Sequence, residues 1–242
     1  MIHHDQRGPV TLVTIDRPER RNAVDREALD GLERALADAA AAGTRVLVLT
    51  GAEGNFCAGA DLGGVEDTEF VAALNRVLEG LRTAPFPTLA AVEGFALGAG
   101  TQLAAACDLR VARPDATFGI PAAKLGLMVD HWTVQRLTRT AGEGPARAML
   151  LAAETYRGER CFELGFVQRL GGVDDALAWA HQIAALAPLT VAGHKLGINE
   201  AERFEPTPRV YADAFRRAWE SEDLREGMAA FRERRTPRFE GR

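Results

Sequence analysis

The chain has 242 residues, 47% of them hydrophobic and 26% charged, with a formal net charge of −5. That composition suits a globular protein with a large core and excludes a low-complexity or strongly basic nucleic-acid-binding chain. No apolar run approaches membrane-spanning length and the N-terminus lacks a signal-peptide core, so a cytoplasmic protein without a membrane span is expected. Cys57, Cys107 and Cys161 are too few and too scattered for a disulfide framework or a zinc site, and read as small buried hydrophobes.

Residues 10–15 alternate apolar and polar and predict a strand, stopped by Arg17-Pro18. A polar turn, 17–22, leads to an amphipathic helix over 25–42 with Ala28, Leu29, Leu32, Ala35, Leu36 and Ala39 on one face. Gly43 ends it, and the β-branched run 45–50 predicts a second strand. A glycine-rich loop, 51–64, precedes a helix over 66–82 and a buried strand over 88–92. Next come a glycine bend, 94–100, a short helix, 102–107, and strand-like runs at 108–112 and 117–120. Beyond Pro121 the pattern is mostly helical, over 144–152, 158–164, 174–186, 188–202, 208–219 and 222–234, with a short strand at 167–170. Strand–helix alternation followed by a helical tail predicts an α/β core with a C-terminal helical region. Aromatic and apolar residues of that tail, Tyr211, Phe215 and Trp219 among them, offer cover for a neighbouring subunit.

The chemistry concentrates where strands run into glycine bends. Gly98 and Gly100 flank Ala99 at the start of a helix, where backbone N–H groups lack intrahelical partners and the dipole favours negative charge. The stretch Asn55-Phe-Cys-Ala-Gly-Ala-Asp-Leu62 follows a strand in the same way. If the two strands are neighbours, the N–H groups of Ala58 and Ala99 converge on one carbonyl oxygen. Two fixed donors aimed at a developing oxyanion lower a barrier by several kcal/mol, about 3 per donor. Cys57 beside them has no activating base nearby in sequence.

Arg17-Pro-Glu-Arg-Arg-Asn-Ala23, Phe56-Cys-Ala-Gly-Ala-Asp-Leu62, Ala96-Leu-Gly-Ala-Gly100, Ala106-Cys-Asp108 and Gln135-Arg-Leu-Thr138 resemble, in order and over nearly the whole chain, the enoyl-CoA hydratase/isomerase (crotonase) family. The resemblance implies an α/β fold, the ClpP/crotonase spiral of ββα units, over residues 1–190. A C-terminal helical region, 191–242, would serve oligomerisation and cover the acyl pocket. It implies a homotrimer or a hexamer built as a dimer of trimers. The implied ligand is an acyl-CoA thioester, with coenzyme A entering as part of that ligand and no covalent cofactor. By motif position, Ala58 and Ala99 supply the oxyanion-hole N–H groups, the family having Gly where Ala99 stands. Backbone around Ala60, Asp61 and Leu62 holds the adenine, and Arg20 and Arg21 lie near the CoA phosphates.

Two family positions depart from the pattern. Hydration needs an activated water and a proton donor, for which the family's hydratases use two glutamates. Gln102 and Ala122 stand in their places, and neither side chain has a usable acid–base pKa. Inefficient hydration follows. Asp130, where the family usually has glycine, matches the aspartate of dienoyl-CoA isomerases, and it equally suits the N-cap of a helix starting near His131. Trp132 replaces a small residue of the family pattern and is expected to reshape or narrow the acyl pocket. Asp-His-Trp with Gln102 resembles members that bind long acyl-CoA without hydrating it and partner the enzymes of fatty-acid synthesis. Three readings result: an acyl-CoA binder without hydratase activity, an isomerase resting on Asp130, and a hydratase using another carboxylate such as Asp61 or Glu143.

Overall fold

The computed structural model describes residues 1–61, 68–202 and 206–241. Its main sheet contains six strands in the order β1 (Ile2–Arg7), β2 (Val10–Ile15), β3 (Val46–Gly51), β4 (Thr88–Val92), β6 (Leu109–Ala112) and β9 (Arg169–Leu170). Only β1 runs antiparallel, against β2; the remaining neighbours are parallel. Parallel strands need both faces covered, which is why β2, β3 and β4 are nearly continuously buried, their apolar residues interrupted only by threonines and Gly51. On one face Val10, Leu12, Val46, Val48, Leu89, Ala91 and Val111 meet Ala176, Leu177 and Ala180 of α7 (Val173–Ala184).

A second sheet contains β5 (Phe95–Leu97), β7 (Thr117–Gly119) and β8 (Thr155–Arg157). Two isolated parallel bridges prolong it: Cys57 pairs with Ala96, and Val24 pairs with Ala60. The repeat then becomes visible. The chain leaves β2, adds Val24 to the second layer and enters α1 (Arg26–Ala41). From β3 it adds residues 57–60 on the way to α2 (Thr68–Thr83), and from β4 it adds β5 before α3 (Ala99–Ala106). Each turn is strand, strand, helix. These are the ββα units that the family resemblance implied.

By their contacts the described residues form two compact units, one of residues 1–118 and 156–202, the other of residues 119–155 and 206–241. The first holds the six-stranded sheet and all of the second but Gly119 and Thr155, with α1, α2, α3, α6 (Gly158–Glu163), α7 and α8 (Pro188–Ala201). The second holds α4 (His131–Ala141), α5 (Glu143–Leu151), α9 (Arg209–Trp219) and α10 (Glu222–Glu233). The boundary expected at 190–191 falls inside α8, whose Lys195 is buried in the first unit. There its ammonium donates to the Leu81 and Phe86 carbonyls and pairs with Asp108 at 2.8 Å. In the second unit Gly227 of α10 lies against the Leu125 backbone, where a Cβ would come within 2.4 Å of the carbonyl oxygen.

Strand β8 has no counterpart in the sequence reading, and three further elements differ from it. Strand β1 is polar and mostly exposed, so it has no hydrophobic signature; its pairing with β2 makes it a strand. The bend at 94–100 contains β5, and α3 begins at Ala99 rather than Gln102 because Gly98 (φ 51°, ψ −116°) caps it. The strand read over 167–170 keeps only Arg169–Leu170.

Candidate functional site

The two glycine bends lie against each other. Segment 55–61 lies along β5, with the Cys57 N–H donating to the Phe95 carbonyl at 2.8 Å and the Leu97 N–H donating to the Cys57 carbonyl at 3.0 Å. A Cβ on Gly100 would stand 2.1 Å from the Cys57 oxygen, and one on Gly98 3.8 Å from the Gly59 Cα. Glycine at these points lets the start of α3 seat directly on segment 55–61. Ala99 opens this helix at 4% exposure, and every residue of α3 is buried. Its N–H points out of the first turn with no intrahelical acceptor.

The other edge of segment 55–61 is held by the turn 17–24. Val24 donates to the Gly59 carbonyl at 2.9 Å, Asp61 donates to the Val24 carbonyl at 2.8 Å, and Ala58 donates to the Arg21 carbonyl at 3.0 Å. The Ala58 amide, expected to face a ligand, is therefore engaged by the protein's own backbone. Gly59, at φ +120°, breaks the alternation of the strand. Among the described residues no acceptor meets the N–H of Ala60. Ala60 and Ala99 thus present open amides at the paired bends, while the Ala58 amide is engaged by the Arg21 carbonyl. The sequence signal for this was the left-handed glycine between two alanines, which reorients the peptide that follows it.

The remaining expected residues of this unit lie around the bends. Arg20 and Arg21 are exposed on the turn, the Arg21 guanidinium lying 5.9 Å from the Phe95 ring centre. Asn22, fully buried at φ 58°, pins the turn by donating to the Ala52 and Asn55 carbonyls. The Asp61 carboxylate pairs with Arg17 at 3.2 Å. Leu62 lies outside the described residues. Gln102 is 7% exposed on α3, four residues after the Gly98 carbonyl that its N–H bonds. The Cys57 thiol is fully buried, and desolvation pushes its pKa up to about 12, which leaves it protonated and unsuited to nucleophilic attack.

In the second unit, Ala122 sits in the 3-10 turn Pro121–Leu125 and its carbonyl accepts from the Leu127 N–H at 3.0 Å. Asp130 is the N-cap of α4: its carboxylate accepts from the Thr133 N–H at 3.2 Å and from the Thr133 hydroxyl. Burial raises the Asp130 pKa above the usual carboxylate value, and the hydrogen bonds from Thr133 pull against that rise. Trp132 is half-buried on the first turn of α4. Helix α9 holds the approach to this cap, the Tyr211 hydroxyl donating to the Val129 carbonyl at 2.6 Å and the Trp219 indole to the Met128 carbonyl at 2.9 Å. Desolvation, with the nearby Asp130 charge, pushes the Tyr211 pKa up to about 12. Glu143 is exposed and paired with Arg147 at 2.8 Å.

Comparison with known proteins agrees with this architecture. The sequence pattern of the enoyl-CoA hydratase/isomerase family matches residues 5–242. The chain is 40% identical to a probable enoyl-CoA hydratase, echA6, of Mycobacterium tuberculosis, over the full length of both. It is 34% identical to the 2,3-dehydroadipyl-CoA hydratase of Escherichia coli, covering 96% of each chain. Among solved structures, an enoyl-CoA hydratase/carnithine racemase of Magnetospirillum magneticum superposes with a TM-score of 0.79 at 29% identity, covering 100% of this chain and 96% of the other. A methylmalonyl-CoA decarboxylase shares the fold with a TM-score of 0.91 at 24% identity, covering 100% of this chain and 98% of its own. With its stacked ββα units, its abutting glycine bends and a family match over nearly its whole length, the chain belongs to the enoyl-CoA hydratase/isomerase family and has the crotonase fold.

Proposed function

We propose that the chain binds an acyl-CoA thioester, holds its carbonyl oxygen between the N–H groups of Ala60 and Ala99, and does not hydrate enoyl-CoA efficiently. The observation that carries this reading is the seating of α3 on segment 55–61, with a 2.1 Å limit at Gly100 that only a hydrogen satisfies. It supports two backbone donors fixed by strands and a helix start, which need no reorganisation when a ligand oxygen arrives. In this reading Arg20 and Arg21 offer charge-assisted bonds to the CoA phosphates from an exposed turn. Coenzyme A is part of the ligand. The exposed Leu189, Leu196 and Ile198 of α8 are consistent with subunit contacts in a trimer or a dimer of trimers.

Loss of hydration rests on chemistry. Gln102 and Ala122 occupy the two positions where the family's hydratases have glutamates, and each missing acid–base group removes about 10² to 10⁴ in rate. A role in fatty-acid metabolism as a carrier, with synthesis enzymes as partners, fits such a binder. The isomerase reading gains support from the raised Asp130 pKa, and the capping bonds from Thr133 support the helix-cap role instead. Incubation with crotonyl-CoA and longer enoyl-CoAs tests the reading. Binding with turnover far below about 1 s⁻¹ is expected, and turnover at ordinary enzyme rates refutes it.

A further inference from the structure

Arg17 stands outside the carbonyl-binding pair, yet its contacts converge on the segment that carries Ala60. Its side chain is 16% exposed and lies between two carboxylates, Asp25 at 2.7 Å and Asp61 at 3.2 Å. The same guanidinium donates to the Ala23 carbonyl at 2.5 Å. The Arg17 main chain closes the turn as well. Its carbonyl accepts from the Arg20 and Asn22 N–H groups, and its own N–H donates to the Asn22 side chain at 2.8 Å. One residue thus ties the turn 17–24 to both the start of α1, through Asp25, and the glycine segment, through Asp61.

We propose that Arg17 is a positioning residue for the Ala60 N–H, a reading that rests on the proposed acyl-CoA site. Ala60 lies between two fixed points. On one side Gly59 is bonded by Val24; on the other Asp61 is held by the Val24 carbonyl at its N–H and by Arg17 at its carboxylate. The Gly59 carbonyl and the Ala60 N–H belong to one peptide, which the Val24 N–H holds from one side; with no Cβ at Gly59 to limit φ and ψ, its orientation depends on that bond and on what fixes Asp61. Locking Asp61 from its side chain restrains that peptide from the far end. A guanidinium is suited to this because its planar fork serves Asp25, Asp61 and a carbonyl together, which a single ammonium cannot do with the same geometry. The consequence is specific. Loosening Arg17 weakens the grip on the thioester oxygen while the rest of the CoA site stays in place.

The test compares octanoyl-CoA, its S-octyl-CoA thioether and free CoA by calorimetric titration of the full chain. The thioether lacks the carbonyl, so the affinity ratio of thioester to thioether reads the two amides alone. Wild type should prefer the thioester about tenfold, two ordinary hydrogen bonds. Arg17→Gln should reduce the preference to about twofold or less while free CoA affinity stays within about twofold. Arg17→Lys should fall between, and Asp61→Asn should lower the preference in the same direction. Thermal unfolding verifies that each variant folds; should Arg17→Gln fail to fold, Arg17→Lys and Asp61→Asn decide the question. A folded variant set that keeps the wild-type preference overturns the proposal, as does equal loss of affinity for all three ligands. Wild type without affinity for octanoyl-CoA overturns the acyl-CoA reading itself.

Discussion

Gly100→Ala probes the contact on which the site is built. An added Cβ would stand 2.1 Å from the Cys57 carbonyl oxygen and 3.1 Å from the Cys57 Cβ. Backbone carbonyls cannot swing aside as a side-chain tip does, and this oxygen already accepts from the Leu97 N–H at 3.0 Å. Reaching a tolerable contact therefore moves α3 and segment 55–61 apart by roughly 1 Å. Overpacking of this kind destabilises by about 1–3 kcal/mol, which for a chain of this size lowers the melting temperature by about 2–12 °C. The larger effect falls on the ligand. Ala99 and Ala60 are carried by the two bodies being separated, so at least one carbonyl bond is lost and octanoyl-CoA affinity should drop about threefold to tenfold. Gly193→Ala is the control: nothing lies within 4 Å of its Cβ position on α8, and it should stabilise by about 0.4–1 kcal/mol without touching affinity. Calorimetric titration and thermal unfolding on both variants supply the readouts. Gly100→Ala with wild-type melting and wild-type affinity refutes the reasoning.

Three further outcomes are expected. Lys195→Met breaks the pair with Asp108 and two bonds to the Leu81 and Phe86 carbonyls, and urea unfolding should show a loss of about 3–5 kcal/mol; a loss below 1 kcal/mol contradicts the buried-pair account. Cys57, Cys107 and Cys161 have pKa values pushed up to about 12 by burial, against an ordinary 9.0. Their native state keeps the proton that the unfolded chain releases, so this stability is complete below pH about 9 and is lost as the pH rises toward 12. A thiol reagent at pH 8 should accordingly label the folded chain far more slowly than the urea-unfolded one, and equal rates would count against it. Asp130→Asn keeps an N-cap acceptor and should melt within about 0.5 kcal/mol of wild type, whereas Asp130→Ala should lose about 1 kcal/mol; equal effects from the two argue against the cap.

Much of the fold is legible in the residues taken one after another. Val46–Gly51 and Thr88–Val92 are mostly apolar, with one threonine each, because parallel strands are buried on both faces, and the Leu and Ala spacing of Arg26–Ala41 marks one helix face. Strand Ile2–Arg7 is illegible for the opposite reason. All but Ile2 face water, and only their pairing with Val10–Ile15 makes them a strand.

At the site, local chemistry determined that two glycine bends end in open amides and that glutamate is missing at positions 102 and 122. Which amides stay open was decided by neighbours far away in the chain. Ala58 and Ala60 flank the same glycine and are chemically identical; the Arg21 carbonyl, brought across by the turn 17–24, engages the first and leaves the second. Asp130 likewise had two possible partners on paper, and the start of α4 supplies the one it meets. A hydrogen bond depends on direction as well as on residue type, and direction at a backbone amide is set by what the folded chain places opposite it.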